Sequence, residues 1–155
     1  MNLEVLYNAK EYALTHFLIA LFSIRLYLFL VFSLVAGVLM YYYLNSLLYS
    51  ISFTVFLLLL RLVKIYLFAK EKGVYIQREG NVKHIISLTN ENFESAKPGA
   101  EFKISWKKIS KVSLIGPSIV VFFDAGGVFF IPRSQVEDEN NLFKFISDRI
   151  IENGV

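Results

Sequence analysis

Two long apolar segments dominate the first half of the chain. Leu26 to Leu44 holds no charged residue over about 19 positions, which at 1.5 Å per residue is enough to cross a hydrocarbon core of roughly 30 Å. After the uncharged link Asn45-Ser46, a second apolar segment begins at Leu47 and continues to Arg61. Because lipid offers backbone amides no hydrogen-bond partner, such segments cross it as helices. The pattern therefore predicts a transmembrane helical hairpin.

The period of the pattern changes beyond the hairpin. We expect the second helix to extend past the lipid and to end at Gly73, because glycine is common just after a helix C terminus. Short apolar runs then recur about every ten residues between turn signals such as Lys97-Pro98-Gly99. This spacing predicts an antiparallel sheet or a small barrel built from hairpins. The runs are Val74 to Ile76, Val82 to Leu88, Phe93, Phe102 to Trp106, Ile109 to Ile115, Ile119 to Phe123 and Val128 to Ile131.

Further elements are predicted at both ends of the chain. Leu3 to Tyr7 can form a single strand, and Asn8 with Glu11 three residues later predicts a capping box for the helix that follows. After Pro132 the pattern is helical, with acidic residues first and Gly154 beyond its end. The apolar face of this helix holds Leu142, Phe143, Phe145, Ile146, Ile150 and Ile151.

Short motifs follow one another in the second half. Ile104 to Ile109 fits I-x-W-x-x-I, and Ile131-Pro132-Arg133 fits I-P-[KR] before an acidic stretch and a helix. In this order they resemble the C-terminal domain of YcxB-like membrane proteins, and Leu3 to Tyr12 is similar to that family's opening strand and helix. The resemblance implies two transmembrane helices followed by a pleckstrin-homology-like (PH-like) domain, in which a C-terminal helix caps an antiparallel barrel or sheet. It implies no activity and no catalytic residues.

These observations divide the chain into three parts. Residues 1–24 hold the N-terminal strand and an amphipathic helix, residues 25–69 the two-helix transmembrane hairpin, and residues 70–155 the PH-like, YcxB-like domain. The predicted fold class is a membrane α-helical hairpin plus an α+β domain. If the N-terminal strand joins the later sheet, the hairpin is inserted within the domain, since a sheet edge would give that strand its partner. The sequence leaves this point open.

The distribution of basic residues predicts the orientation. Charged residues make up only 19% of the chain, against roughly 25% in soluble domains. Arg25 precedes the first apolar segment, and Arg61 and Lys64 close the second, whereas the link carries no charge. Because Lys and Arg are retained on the cytoplasmic side, we expect a multi-pass inner-membrane protein with both termini cytoplasmic. We interpret the three basic residues as anchors at the inner interface; the alternative is that Arg25 or Arg61 lines an ion or substrate path. Four tyrosines cluster around the link and are interpreted as an aromatic belt at the outer interface; they are Tyr41, Tyr42, Tyr43 and Tyr49.

Small residues match between the two segments. Ser33 and Gly37 on the first lie near the depths expected for Thr54 and Ser50 on the second, and each pair is spaced by four. Such faces let helix backbones approach closely in lipid. Packing within the hairpin is the favoured interpretation, and homo-oligomerisation through these residues is the alternative.

Basic residues surround Trp106 in the second half. They form a candidate surface for lipid or a partner, because each basic group near an anionic membrane contributes roughly 1 kcal/mol. The favoured alternative is a solvated strand face and turn with Trp106 in the core. Nucleic-acid binding is not expected, since residues 69–155 are nearly balanced in charge. The candidate residues are Lys103, Lys107, Lys108, Lys111 and Arg133.

Motifs for catalysis and metal binding are missing from the sequence. The chain has no cysteine and no G-x-S-x-G, and its carboxylates fall in turns and helix starts. His16 and His84 lie in different segments without ligand spacing, so His16 is interpreted as a headgroup or packing residue rather than a metal ligand. We expect no enzyme activity, no metal and no cofactor.

Three functional hypotheses are compatible with these features. The first is a membrane-anchored PH-like interaction module that binds a protein partner or a lipid headgroup at the inner leaflet. The second is an immunity or resistance protein that neutralises a membrane-acting toxin, which the neighbouring genes would reveal. The third is a transport subunit, for which loss of flux on substitution of Arg25 or Arg61 would be needed.

Overall fold

The computed structural model describes residues 1–80 and 83–153. Two long apolar helices, antiparallel sheets and a C-terminal helix are present, as the sequence predicts. Predictions that concern Asn81, Val82 and Gly154 fall outside the described residues. Within the described part of the chain, the elements in order are β1 (Asn2–Leu6), α1 (Ala9–Leu21), α2 (Ile24–Leu44), α3 (Leu47–Glu79), β2 (Lys83–Leu88), β3 (Asn92–Lys97), β4 (Ala100–Ser105), β5 (Ile109–Ile115), β6 (Ser118–Phe123), β7 (Val128–Pro132) and α4 (Glu139–Asn153).

The helices α2 and α3 form the hairpin. Each is long and apolar enough to cross a membrane, with a mean hydropathy of 2.1 over its most apolar stretch. Asn45 ends α2 in the left-handed conformation, with φ at 49°, and donates its backbone N–H to the Tyr41 carbonyl at 2.7 Å. Asparagine visits this conformation more readily than most residues, so the chain can reverse here within two residues.

The predicted small residues meet inside the hairpin. Ser50 Oγ donates a hydrogen bond to the Gly37 carbonyl oxygen at 2.5 Å, and Thr54 Oγ1 donates to the Ser50 carbonyl oxygen at 3.0 Å. Ser33 is fully buried, and a Cβ atom at Gly37 would collide with the Thr54 hydroxyl. The four residues therefore pack within one hairpin, as favoured from the sequence. Their use in a homo-oligomer stays a prediction.

The prediction that Gly73 ends the second helix is wrong. α3 continues to Glu79, so Val74 to Ile76 are helical rather than a strand. Gly73 is buried where α1 crosses α3, and a Cβ atom there would lie 2.7 Å from the Ala9 carbonyl oxygen and 3.0 Å from Ala13 Cβ. The glycine thus permits close helix packing instead of stopping the helix.

The strands form two antiparallel sheets, with orders β1-β2-β3-β4 and β5-β6-β7. Within residues 1–80 and 83–153 they do not close into a barrel, so the sheet form of the prediction holds. β1 pairs with β2, placing Leu3 opposite Ile86, and the Met1 amino group donates to the Leu88 carbonyl at 2.8 Å. The N-terminal strand therefore does join the later sheet. The hairpin is inserted between strands that pair in space.

The core lies between the two sheets and α4. Trp106 is fully buried, and its Nε1 donates to the Thr89 carbonyl at 3.0 Å. It occupies a single turn of 3-10 helix between β4 and β5, so the expectation that it belongs to a strand is wrong. α4 buries Leu142 and Ile146, and the Asp138 side chain accepts a hydrogen bond from the Asn141 backbone N–H at its start. The predicted amphipathic C-terminal helix is confirmed, but the placement of Ile151 on its apolar face is wrong, because this side chain near the end of α4 is exposed.

α1 connects the hairpin of α2 and α3 to the sheets. Thr15 is fully buried, and its Oγ1 lies 2.8 Å from Ser118 Oγ at the start of β6. The Asn8 side chain caps α1 by accepting from the Lys10 N–H at 2.9 Å, as predicted. The Glu11 carboxylate instead lies 3.4 Å from Ser134 Oγ, so the reciprocal half of the predicted capping box is replaced by a contact with another segment. α1 is held between α3 and the second sheet.

Candidate functional site

The predicted basic surface is dispersed in the structure. Lys103 on β4 forms an ion pair with Glu94 at 2.7 Å, and Arg133 pairs with Glu139 at 2.7 Å. Lys107 and Lys108 are exposed in the turn beside the buried Trp106. Lys111 on β5 has its Nζ 4.7 Å from the centre of the Phe122 ring. Two of the five cations are thus already paired with carboxylates, and the interleaved aromatic ring belongs to the core.

Three predicted interface residues do converge. Arg25, Arg61 and Lys64 line a single cavity of about 440 Å³, together with His16 of α1 and Gly126 of the turn between β6 and β7. We call this space the junction cavity. Tyr41, Tyr42 and Tyr43 lie at the other end of α2 and are exposed. The structure therefore separates the predicted aromatic belt from the predicted basic anchors.

The local sequence explains how the cavity forms. Ser23 lies between α1 and α2, and its Oγ donates to the Ala20 carbonyl at 2.7 Å. Arg25, the second residue of α2, therefore lies just after the point where the chain leaves α1. Arg61 and Lys64 are three residues apart on α3, a spacing that places both on the same face of a helix. Gly126 adopts φ 83°, which favours glycine, in the turn that reaches this junction.

His16 is the polar group of the cavity on the α1 side. Its ring packs edge-on against Tyr12 and Phe130, with centroids 4.8 and 4.7 Å away. Burial, and secondarily the charge of Lys72, lower the pKa of His16 from 6.5 to about 4. His16 is therefore neutral at pH 7. Its Nε2 atom is buried and has no hydrogen-bond partner among the described residues.

Arg61 presents a second unpartnered group. Its Nε is buried without a hydrogen-bond partner in the described part of the chain, and its Cζ lies 5.5 Å from the centre of the Phe29 ring. Across residues 1–80 and 83–153, neither Arg61, Arg25 nor Lys64 forms an ion pair with a carboxylate. The junction cavity thus combines three cations that have no ion-pair partner in the described chain with two buried nitrogen atoms that have no hydrogen-bond partner there. Chemically, such a site is suited to an anion.

A second polar cluster joins the end of α3 to the first sheet. Glu79 accepts hydrogen bonds from Tyr75 at 2.6 Å and from Lys97 of β3 at 2.7 Å. Lys97, and then Tyr75, hold the pKa of the Glu79 carboxyl below its usual range, and burial lowers the pKa of the nearby His84. Because the carboxylate and ammonium groups neutralise each other and share a hydrogen bond, we interpret this cluster as a structural contact between α3 and β3. No sequence pattern indicates this cluster, because Tyr75 and Glu79 share a helix face only if α3 continues past Gly73.

Among the described residues, no three His, Asp or Glu side chains are grouped so that they could hold a metal ion.

A scan against protein-family models, a search of curated proteins and a search of solved structures each found no match. The resemblance to YcxB-like proteins therefore stays a prediction.

Proposed function

We propose that this protein is a membrane-anchored, PH-like interaction module that binds an anionic lipid headgroup at the inner leaflet through the junction cavity. The observation that carries the proposal is the convergence of Arg25, Arg61 and Lys64 on one cavity without a carboxylate partner in the described chain. Cations held together without counter-charge repel one another, so an anion that neutralises them is bound favourably.

The depth of the cavity supports a lipid. Arg25 lies at the first turn of α2, where the apolar span begins. α3 has 33 residues and is about 50 Å long at 1.5 Å per residue, so it extends well beyond a hydrocarbon core of roughly 30 Å. The cavity lies along α3 between Arg61 and Phe68, where the helix leaves the apolar span. This is the level at which headgroups are found.

The walls of the cavity also match a lipid. Ile24, Ile65 and Phe68 contribute apolar surface beside the cations. A phospholipid offers an anionic group joined to apolar chains, whereas an acidic protein segment would bring polar backbone groups into the same space. The protein-partner form of the hypothesis is therefore the less favoured one.

Labelling of introduced cysteines tests the orientation, since the native chain has none. With both termini cytoplasmic, a cysteine at Asn45 reacts with a membrane-impermeant maleimide in intact cells, whereas one at Lys107 reacts only after permeabilisation. The reverse labelling pattern would place the junction cavity at the outer leaflet and contradict the proposal.

Nanodisc reconstitution tests the binding function. We expect the Tm of the full-length protein to rise when part of the phosphatidylcholine is replaced by phosphatidylglycerol, because a ligand of the native state stabilises it. The double variant R61Q/K64Q should lose this rise, whereas K107Q/K108Q, which removes the same charge from the predicted basic surface, should retain it. Equal loss in both variants, or no rise in wild type, would refute headgroup binding by the cavity.

A further inference from the structure

We propose that the junction cavity is a phosphate-monoester site, which takes the terminal phosphate of a lipid such as phosphatidic acid in preference to a phosphodiester headgroup. This inference rests on the proposed function and names the ligand class of the same cavity. The shared chemistry is a dianionic phosphate. It could be carried by a lipid or be free in solution.

The charge of the cavity favours a dianion. Arg25, Arg61 and Lys64 supply three positive charges, and none of them forms an ion pair within 4.0 Å with a carboxylate of the described residues. A phosphate monoester carries about −1.5 to −2 charges at pH 7, whereas a diester carries one. The monoester therefore neutralises more of the positive charge in a partly enclosed space, where Coulomb interactions are stronger than in bulk water.

The hydrogen-bonding groups favour the same ligand. Two guanidinium groups and one ammonium group are donors only, and the buried Arg61 Nε has no acceptor within the described chain. His16 Nε2 is also buried without a partner there. A monoester presents three terminal oxygens, whereas a diester presents two. The extra oxygen can accept from a group that a diester leaves unpaired.

The apolar wall favours a lipid over free phosphate. Ile24, Ile65 and Phe68 line the cavity, and Ile24 is the first residue of the apolar helix α2. An acyl chain attached to the phosphate can continue along this helix into the membrane. Inorganic phosphate would leave the same apolar wall in water.

Affinity for short-chain lipids tests the inference. Full-length protein in a neutral maltoside detergent is titrated with short-chain phosphatidic acid, short-chain phosphatidylglycerol and inorganic phosphate, with Kd measured by calorimetry. We expect phosphatidic acid to bind about tenfold more tightly than phosphatidylglycerol, a difference of about 1.4 kcal/mol, and inorganic phosphate to bind more weakly than either lipid. R25Q, R61Q and K64Q should each reduce the preference for phosphatidic acid.

Matched variants locate the effect. K70Q removes one charge from an exposed position on α3 outside the cavity, and the preference should persist. H16Q keeps an amide near the position of Nε2 and should retain more of the preference than H16F, which keeps only the ring shape. The Tm of each variant without ligand shows whether it is folded. K64Q changes an exposed side chain, so a loss of lipid preference in this variant does not come from disturbed packing.

The outcomes separate the two proposals. Equal affinity for both lipids would overturn the monoester preference but leave anionic headgroup binding intact. No binding of either lipid would overturn both. Inorganic phosphate binding as tightly as phosphatidic acid would overturn the lipid assignment, and a K70Q effect as large as that of K64Q would overturn the location.

Discussion

Substitution of Gly73 by alanine tests the crossing of α1 and α3. In an exposed helix this change stabilises by roughly 0.5–1 kcal/mol, because alanine has the higher helix propensity. Here the new Cβ would lie 2.7 Å from the Ala9 carbonyl oxygen, a backbone atom that can move only with α1. Overpacking of this kind costs typically 1–3 kcal/mol. We expect the overpacking cost to exceed the propensity gain, for a net loss of about 1 kcal/mol.

Thermal unfolding in detergent measures this loss. The single tryptophan, Trp106, is fully buried in the core and provides the fluorescence signal. For a chain of this size, about 1 kcal/mol corresponds to a Tm decrease of roughly 2–4 °C. A13G by itself lowers stability because Ala13 lies inside α1, but in a double-mutant cycle G73A should cost less in the A13G background than in wild type, because the contact with Ala13 Cβ is gone. An increase in Tm for G73A alone would show that α1 does not approach α3 as closely as described.

Three further predictions concern other parts of the molecule. Folding lowers the pKa of His16 from 6.5 to about 4, so the unfolded chain binds a proton at this residue before the folded chain does. The free energy of unfolding is therefore unaffected by His16 above pH 6.5 and decreases as the pH falls from 6.5 to about 4. When unfolding is measured across this pH range, H16F should reduce the loss of unfolding free energy by about 1–2 kcal/mol. This value is discounted for the partial exposure of the ring. G37L should lower the Tm because the leucine side chain would overlap Thr54. Light scattering should show the same particle mass as wild type. Dissociation to a smaller species would instead support the predicted homo-oligomer. K97M should lower the free energy of unfolding by about 0.5–1 kcal/mol, because it removes the ion pair with Glu79. In denaturant unfolding, added salt should reduce the difference from wild type. A difference that does not change with salt would exclude an electrostatic origin.

The elements that could be predicted are those with a strong local period. The uncharged run from Leu26 to Leu44, the strands from Ile109 onward and the C-terminal helix all lie within a few residues of their predicted bounds. Gly73 was misinterpreted because its contacts, Ala9 and Ala13, lie about 60 residues earlier in the chain. A glycine that stops a helix and one that admits a neighbouring helix have the same local sequence signal.

The candidate site was predictable only in part. Charge placement alone identified Arg25, Arg61 and Lys64 as residues of one interface. Their convergence with His16 depends on α1 folding back along α3, which no pattern within either helix specifies. The ion pair that occupies Lys103 of the predicted basic surface could not be predicted, because it depends on the register that places Glu94 beside Lys103 on the adjacent strand.

Because the hairpin of α2 and α3 is inserted into the sheet domain, the two parts depend on each other. Val5 of β1 is fully buried in the core, yet β1 pairs with β2 only after the chain has passed through both helices of the hairpin. α1 supplies His16 to the junction cavity and Thr15 to the contact with Ser118 of β6. A fragment that begins after the hairpin lacks β1 and α1, and with them one edge of the sheet and one wall of the cavity. The junction cavity is therefore built by the whole chain, which is why the proposed anion binding has to be measured on the full-length protein.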